Sequence, residues 1–190
     1  MPPKISLITT CYNRAEYIGE CIESVLNSQY SDFEYIIVDD RSTDNSWEII
    51  RSLAENDKRV KSFRNEENLG DYPNRNKALS YATGELVKFI DADDTIFPYS
   101  LHFFVHYMDS YPTASLALTV TPFLRDRPLP LLLPKFEAIN FHYSSHSIFH
   151  EGPTSSIFRR EAMSKIGGFS GRRMIGDFEV GMNSAWWEIV

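Results

Sequence analysis

Residues 85–95 read Glu-Leu-Val-Lys-Phe-Ile-Asp-Ala-Asp-Asp-Thr, a short apolar run ending in three carboxylates within four positions. Asp91, Asp93 and Asp94 repel one another when packed together, a cost that a bound cation offsets. Hard oxygen ligands on neighbouring positions suit Mg²⁺ or Mn²⁺, typically shared with a phosphate. Two more polar clusters stand at the ends of apolar runs: Thr9-Thr10-Cys11-Tyr12-Asn13-Arg14 and Asp39-Asp40-Arg41-Ser42. An aromatic, a carboxylate pair and a metal-type cluster are together what a nucleoside diphosphate needs. The ring stacks on a base, a carboxylate accepts from a base N–H, and the metal bridges the phosphates. Each cluster also has a local reading, since Ser42 to Asp44 are helix caps, Tyr12-Asn13 is a turn and Asp91 to Asp94 can cap the next helix. The local readings explain the clusters singly but not their shared position at strand ends.

The elements that must position these residues follow from periodicity. Residues 86–90 have the continuous apolar character of a strand buried on both faces, and open α/β sheets bind ligands at the carboxyl ends of such strands. The first half alternates strands and helices at βαβ spacing. Strands are expected at 5–9, 33–38, 60–64, 86–90 and 114–120, and helices at about 15–27, after Ser42 to Asp44 through Leu53, at about 72–82 and at 98–110. Gly84 is expected near a helix C′ position. After Thr121 the character changes. Pro122, Pro128, Pro130 and Pro134 forbid a regular helix and a central strand, so Leu131 to Leu133 are an edge piece or a contact surface. Residues 136–149 are rich in aromatics and histidines without a clear period. A strand at 154–159, a short helix at 160–166 and a tight turn at Gly167-Gly168-Phe169 follow. One domain in two halves is the expectation: a nucleotide-type α/β half over 1–120 and a less regular half over 121–190 that shapes a second site.

The bulk numbers fit that picture. The chain has 190 residues, 43% hydrophobic and 24% charged, ordinary values for a globular domain with a sizeable core. A net charge of −7 argues against nucleic acid as a partner. Cys11 and Cys21 are too few for a disulfide framework and lack metal-site spacing, which points to reduced thiols and a cytoplasmic setting. No apolar stretch approaches the roughly 20 residues of a transmembrane helix. The tail from residue 177 has helical character but stops at Val190 without a polar cap, so the expectation is a truncated chain or a last helix that packs on something else.

Taken in order, these motifs resemble the family 2 inverting glycosyltransferases, whose fold is called GT-A. The matching stretches are 5–14, 36–44, Asn68-Leu69-Gly70 with Arg75 to Leu79, Gly84-Glu85 running into 89–94, Phe158-Arg159-Arg160, Gly167-Gly168-Phe169, and Gly176-Asp177-Phe178-Glu179. The resemblance implies an α/β, Rossmann-like fold with a mostly parallel central sheet flanked by helices. It implies that Thr10, Tyr12, Asp39 and Asp40 hold the nucleobase and ribose, and that Arg75 lies near the donor phosphates. Asp91 and Asp93 form the Asp-x-Asp motif, Asp91 toward the ribose and Asp93 on Mn²⁺ or Mg²⁺, with Asp94 assisting. Asp177 is the implied general base and Glu179 the fallback. The implied donor is a UDP-sugar, and the acceptor a carbohydrate or lipid-linked hydroxyl of polysaccharide or cell-envelope synthesis. Peripheral work at the inner face of a membrane and a homo-oligomer are compatible with it.

The chemistry is coherent by itself. A sugar–nucleotide bond breaks when charge on the leaving diphosphate is stabilised, and a divalent ion does this as a Lewis acid. An acceptor hydroxyl attacks once a positioned base takes its proton, and direct displacement inverts the anomeric centre. Two rivals stand beside this reading. Asp91-Ala92-Asp93-Asp94-Thr95 also fits the nucleophile motif of haloacid-dehalogenase-like phosphatases, although that family places the strand early and needs a later lysine and acidic pair. A non-catalytic nucleotide-sugar-binding domain is the other. His142, His146 and His150 recur every four residues, but no carboxylate joins them at ligand spacing, so a solvated or acceptor-facing loop is expected there.

Overall fold

The computed structural model describes residues 1–119, 130, 132–144, 148, 153–172, 179–180 and 188–189. Four parallel strands form its centre: β1 (Ile5–Cys11), β2 (Phe33–Asp39), β3 (Val60–Arg64) and β4 (Leu86–Phe89). β2 and β4 are buried along their whole length, and β1 at all but one position, which is why they read as largely apolar runs, broken by a few buried polar groups such as Glu34 and Lys88. β7 (Ser156–Arg159) then pairs antiparallel with both β4 and β5 (Leu116–Leu118), and β8 (Glu188–Ile189) and β6 (Leu133–Pro134) complete the sheet. The order is β3-β2-β1-β4-β7-β5-β8-β6. Strands of both halves of the chain therefore enter one sheet, parallel from β3 to β4 and mixed beyond β4.

Helices cover both faces. α1 (Ile18–Leu26) buries Ile18, Cys21, Ile22 and Val25 at helical spacing. With α2 (Ser46–Ala54) and α4 (Ser100–Ser110) it packs on the face that carries Ile5, Leu7, Tyr35, Ile37 and Leu86. α3 (Asp71–Ser80), α5 (Lys135–Ser144) and α6 (Arg160–Ile166) lie with Phe169 on the face of Ile8, Ile36, Val38, Val87 and Phe89. The chain runs outward from β1 through β2 to β3, then crosses back to β4 on the other side of β1. That reversal opens a crevice beyond the carboxyl ends of β1 and β4.

Several expectations shift. β5 is shorter than expected, and residue 120 lies outside the described residues. Residues 135–144 are helical although no period was read there: Ala138, Phe141 and His142 are buried at i, i+3, i+4, while exposed Phe136 and Tyr143 obscure the pattern. His142 is thus buried on a helix rather than in a solvated loop; His146 and His150 fall outside the described residues. Pro134 sits on the sheet's terminal strand, where its missing N–H costs least. Of the tail's described residues, 179–180 are helical as expected, whereas 188–189 form a strand. Gly84 is no helix terminator, since α3 ends at Ser80 with Tyr81 as its cap. A Cβ at Gly84 would lie 2.6 Å from the Ser6 backbone nitrogen, so a close approach to β1 requires glycine there.

Candidate active site

Two loops are knitted together beyond the ends of β1 and β2. The Asn13 and Arg14 backbone N–H groups donate to the Ser42 and Ser46 hydroxyls at 2.9 and 2.8 Å. Asn13 Oδ1 accepts from the Thr43 N–H at 2.8 Å, and Asp44 Oδ2 from the Ala15 N–H at 3.0 Å. Asn13 and Arg41 take positive φ (52° and 66°), so each turn is tight and non-glycine. The result is a fixed rim on a cavity of about 440 Å³.

Six of the seven residues expected to bind a nucleotide sugar line that cavity: Thr10, Tyr12, Asp40, Arg75, Asp91 and Asp93. Tyr12 is about half exposed, its ring available to stack. The seventh, Asp39, is wholly buried but stands in register with Cys11, a lining residue. Asp39 Oδ2 accepts from the Ser42 N–H and lies 3.1 Å from Arg64 Nε. Its Oδ1 is buried without a partner among the described residues. Burial of an unpaired carboxylate oxygen is costly unless something else reaches it.

Asp40 behaves differently from its neighbour. Its carboxylate accepts from Asn65 Nδ2 at 2.6 Å and from the Leu69 and Gly70 N–H groups at 2.9 Å each. It therefore clamps the 65–70 loop onto the sheet, and the expected Asp39/Asp40 pair divides into one open group and one saturated one. Gly70, at φ 85°, makes the turn that starts α3.

The acidic turn is also divided. Asp91 Oδ1 receives Arg75 at 2.8 Å and Oδ2 the Thr154 hydroxyl at 3.0 Å. Asp93 Oδ2 lies 3.2 Å from Arg14 Nε, with both side chains about half exposed. Asp94 is exposed and does not line the cavity. Two arginines thus offset repulsion that the sequence alone assigned to a metal. Arg75 forks between Asp71 (2.7 Å) and Asp91, over the rings of Phe89 and Phe169. Burial works against its charge, but Asp91 and Asp71 outweigh it and hold its pKa above the ordinary value. Burial pushes the Cys11 thiol up to about 12, which leaves it an inert wall residue.

Arg14, Asn68, Asp71 and Asn74 also line the cavity without having been assigned there. Arg14 and Asn68 lay inside quoted motifs, but nothing in their local pattern fixed their direction. Asp177 lies outside the described residues. Glu179 is engaged by Arg172 at 3.0 Å and by the Ser170 hydroxyl. Among the described residues no three or more His, Cys, Asp or Glu side chains converge as a metal cluster.

The family model described as glycosyl transferase family 2 matches residues 6–167, well over half of the chain. The chain belongs to that family. A curated relative, the GalNAc(5)-diNAcBac-PP-undecaprenol beta-1,3-glucosyltransferase of Campylobacter jejuni, is 36% identical over 95 residues, 50% of this chain and 31% of that one. Among solved structures, S. aureus TarS 1–349 in complex with UDP-GlcNAc has a TM-score of 0.78 at 23% identity, covering 98% of this chain and 58% of that chain. The mannosyltransferase PcManGT of Pyrobaculum calidifontis, in complex with GDP-Man and Mn²⁺, has a TM-score of 0.77 at 22% identity, covering 100% and 55%. These structures bear on the fold, and GT-A is the architecture this family 2 chain adopts. The chain spans less than half the length of the curated relatives it matches. No helix among the described residues is long and apolar enough to cross a membrane.

Proposed function

We propose that this family 2 domain transfers a sugar from a UDP-sugar to a hydroxyl acceptor, with inversion and with help from a divalent ion. The observation that carries this reading is the buried Asp39 Oδ1, unpartnered among the described residues at the strand end that leads into the cavity-lining Asp40. A uracil ring stacked on Tyr12 would offer its N3–H to that oxygen, with Thr10 alongside. A base that presents no ring N–H in that direction leaves the oxygen unpaired, at a cost of about 1–3 kcal/mol. Asp40 acts at one remove, by holding the wall formed by residues 68–70.

Asp91, oriented by Arg75 and Thr154, faces the ribose in this reading, and the Arg75 guanidinium gives the cavity its positive wall toward the diphosphate. Both Asp91 oxygens are engaged, which disfavours it as the attacking nucleophile of a phosphatase. The residues fit a Mn²⁺ or Mg²⁺ ion held by Asp93 with Asp94 adjacent. Such ions take one or two carboxylates plus substrate phosphates and water, and need no larger protein cluster. When bound, the ion neutralises charge on the leaving diphosphate. The exposed Arg14–Asp93 pair is weak enough to reopen for it. Asp177 takes the acceptor proton; Glu179, occupied by Arg172, is the poorer candidate. The acceptor is a carbohydrate or lipid-linked hydroxyl, a class that the name of the Campylobacter relative includes.

The test is calorimetric titration of UDP-sugars with and without Mn²⁺, followed by transfer assays. Asp93→Ala is expected to abolish metal-dependent binding. Asp177→Asn is expected to bind the donor normally and lose transfer, by a factor of about 10² or more. Mn²⁺-dependent binding that survives in Asp93→Ala overturns the metal assignment, and normal transfer by Asp177→Asn overturns the base.

A further inference from the structure

β4 carries a lysine inside the sheet. Lys88 is 2% exposed between Val87 and Phe89, both fully buried. An ammonium persists in such a place only with acceptors around it. Its Nζ donates to the backbone carbonyl of Thr154 and, at 3.3 Å, to that of Ser156, and lies 4.3 Å from the centroid of the Phe104 ring. β4 and β7 pair at Leu86↔Arg159 and Val87↔Phe158. Beyond those pairs the Lys88 side chain takes the carbonyls that lead into β7. Burial pushes its pKa down to about 7, while Asp94 and Asp91 favour the charge.

The segment that Lys88 grips contacts a residue that lines the cavity. The Thr154 hydroxyl donates to Asp91 Oδ2 at 3.0 Å, opposite the oxygen that accepts from Arg75. The carbonyl of Ser155, between the two gripped carbonyls, is held just past the end of β5 by the Thr119 N–H at 2.9 Å and hydroxyl at 3.1 Å. A buried lysine serving only as mortar would not end, through one intervening residue, on a carboxylate that lines the candidate site.

We propose that Lys88 and Thr154 form a positioning relay: the buried ammonium fixes the 154–156 backbone, and the Thr154 hydroxyl thereby sets the orientation in which Asp91 meets the bound nucleotide. The ligand in this statement rests on the function proposed above; the relay geometry does not. Neither residue touches the reacting atoms, so both act through Asp91. The less regular half of the chain thus acts on a cavity-lining carboxylate, Asp91, through the Thr154 hydroxyl.

Thr154→Val removes the donor at nearly constant shape, Thr154→Ser restores it, and Lys88→Met removes the ammonium. Affinity for UDP with Mn²⁺ is measured by calorimetry for each and for the double variant. Thr154→Val and Lys88→Met are each expected to weaken binding about tenfold, as lost outer-shell partners do. The double variant should lose no more than the worse single, because the two act in series. Additive losses, or wild-type affinity in Thr154→Val, overturn the relay. If Lys88→Met fails to fold, the Thr154 pair alone decides. If the wild type binds no UDP, the proposed function fails instead, and the relay is judged on the resonance of the Arg75 Nη–H group that donates to Asp91 in the free protein. That resonance should move in Thr154→Val and return in Thr154→Ser; an unmoved resonance overturns the relay.

Discussion

Strand β2 carries a buried acid near each end, Glu34 at its start and Asp39 at its finish, about 16 Å apart along an extended chain. Glu34 Oε1 accepts from the Ser6 hydroxyl (2.6 Å), the Thr83 N–H and the Thr83 hydroxyl (2.7 Å each), and Oε2 from Lys61 (2.6 Å). Burial raises its pKa, but Lys61, Ser6 and Thr83 outweigh that and bring it down to about 2. Asp39 is as deeply buried, yet it keeps one oxygen without a partner among the described residues. A saturated acid fastens the 83–84 turn to the sheet and leaves nothing to offer a ligand. An unsaturated one, beside a polar cavity at the ligand-binding edge, is a group held ready for a partner. The same chemical type thus serves architecture at one end of a strand and, under the proposed function, recognition at the other.

That contrast breaks if the two acids respond alike. The largest expected effect is on Glu34→Ala, which strands several buried donors and should cost about 3 kcal/mol in denaturant unfolding. The pH dependence has the same origin. The Glu34 carboxyl titrates lower folded than unfolded, so its stabilisation is complete above about pH 4.5 and disappears as pH falls through about 2. Wild type should lose roughly 3 kcal/mol over that window, with a flatter profile in Glu34→Gln. Gly84→Ala, which drives a Cβ into the Ser6 and Ile5 backbone, comes next at about 2 kcal/mol. Asp39→Asn keeps most of its packing and should cost about 1 kcal/mol of stability, while weakening UDP binding at least tenfold. Smallest is Arg14→Ala: its exposed ion pair with Asp93 predicts a stability change within about 0.5 kcal/mol by thermal unfolding.

The parallel half of the fold was legible because its strands are covered on both faces and its helices bury a regular stripe. β3 and α6 have the bounds expected of them, since turn residues bracket one and a strand end and two glycines bracket the other. α5 was missed because surface aromatics at 136 and 143 imitate core. The convergence of the three polar clusters was readable from strand direction, but the division of labour inside each was not. Whether Asp40 clamps a loop and Asp39 stays open depends on where Asn65, Leu69 and Gly70 arrive, which no local pattern encodes. Lys88 did leave a signal, a charge in the middle of an apolar run, and its meaning emerged only with the carbonyls of Thr154 and Ser156.

The most direct measurement is a ¹H–¹⁵N spectrum of the wild type titrated with UDP in the presence of Mn²⁺, whose paramagnetism broadens nearby resonances. Broadening centred on Asp93 and Asp94, with shifts at Thr10, Tyr12 and Arg75 and none at Glu34 or Thr83, is the expected result. Unchanged spectra, or changes centred on the Glu34 end of the sheet, would contradict the assignment of the open edge as the donor site.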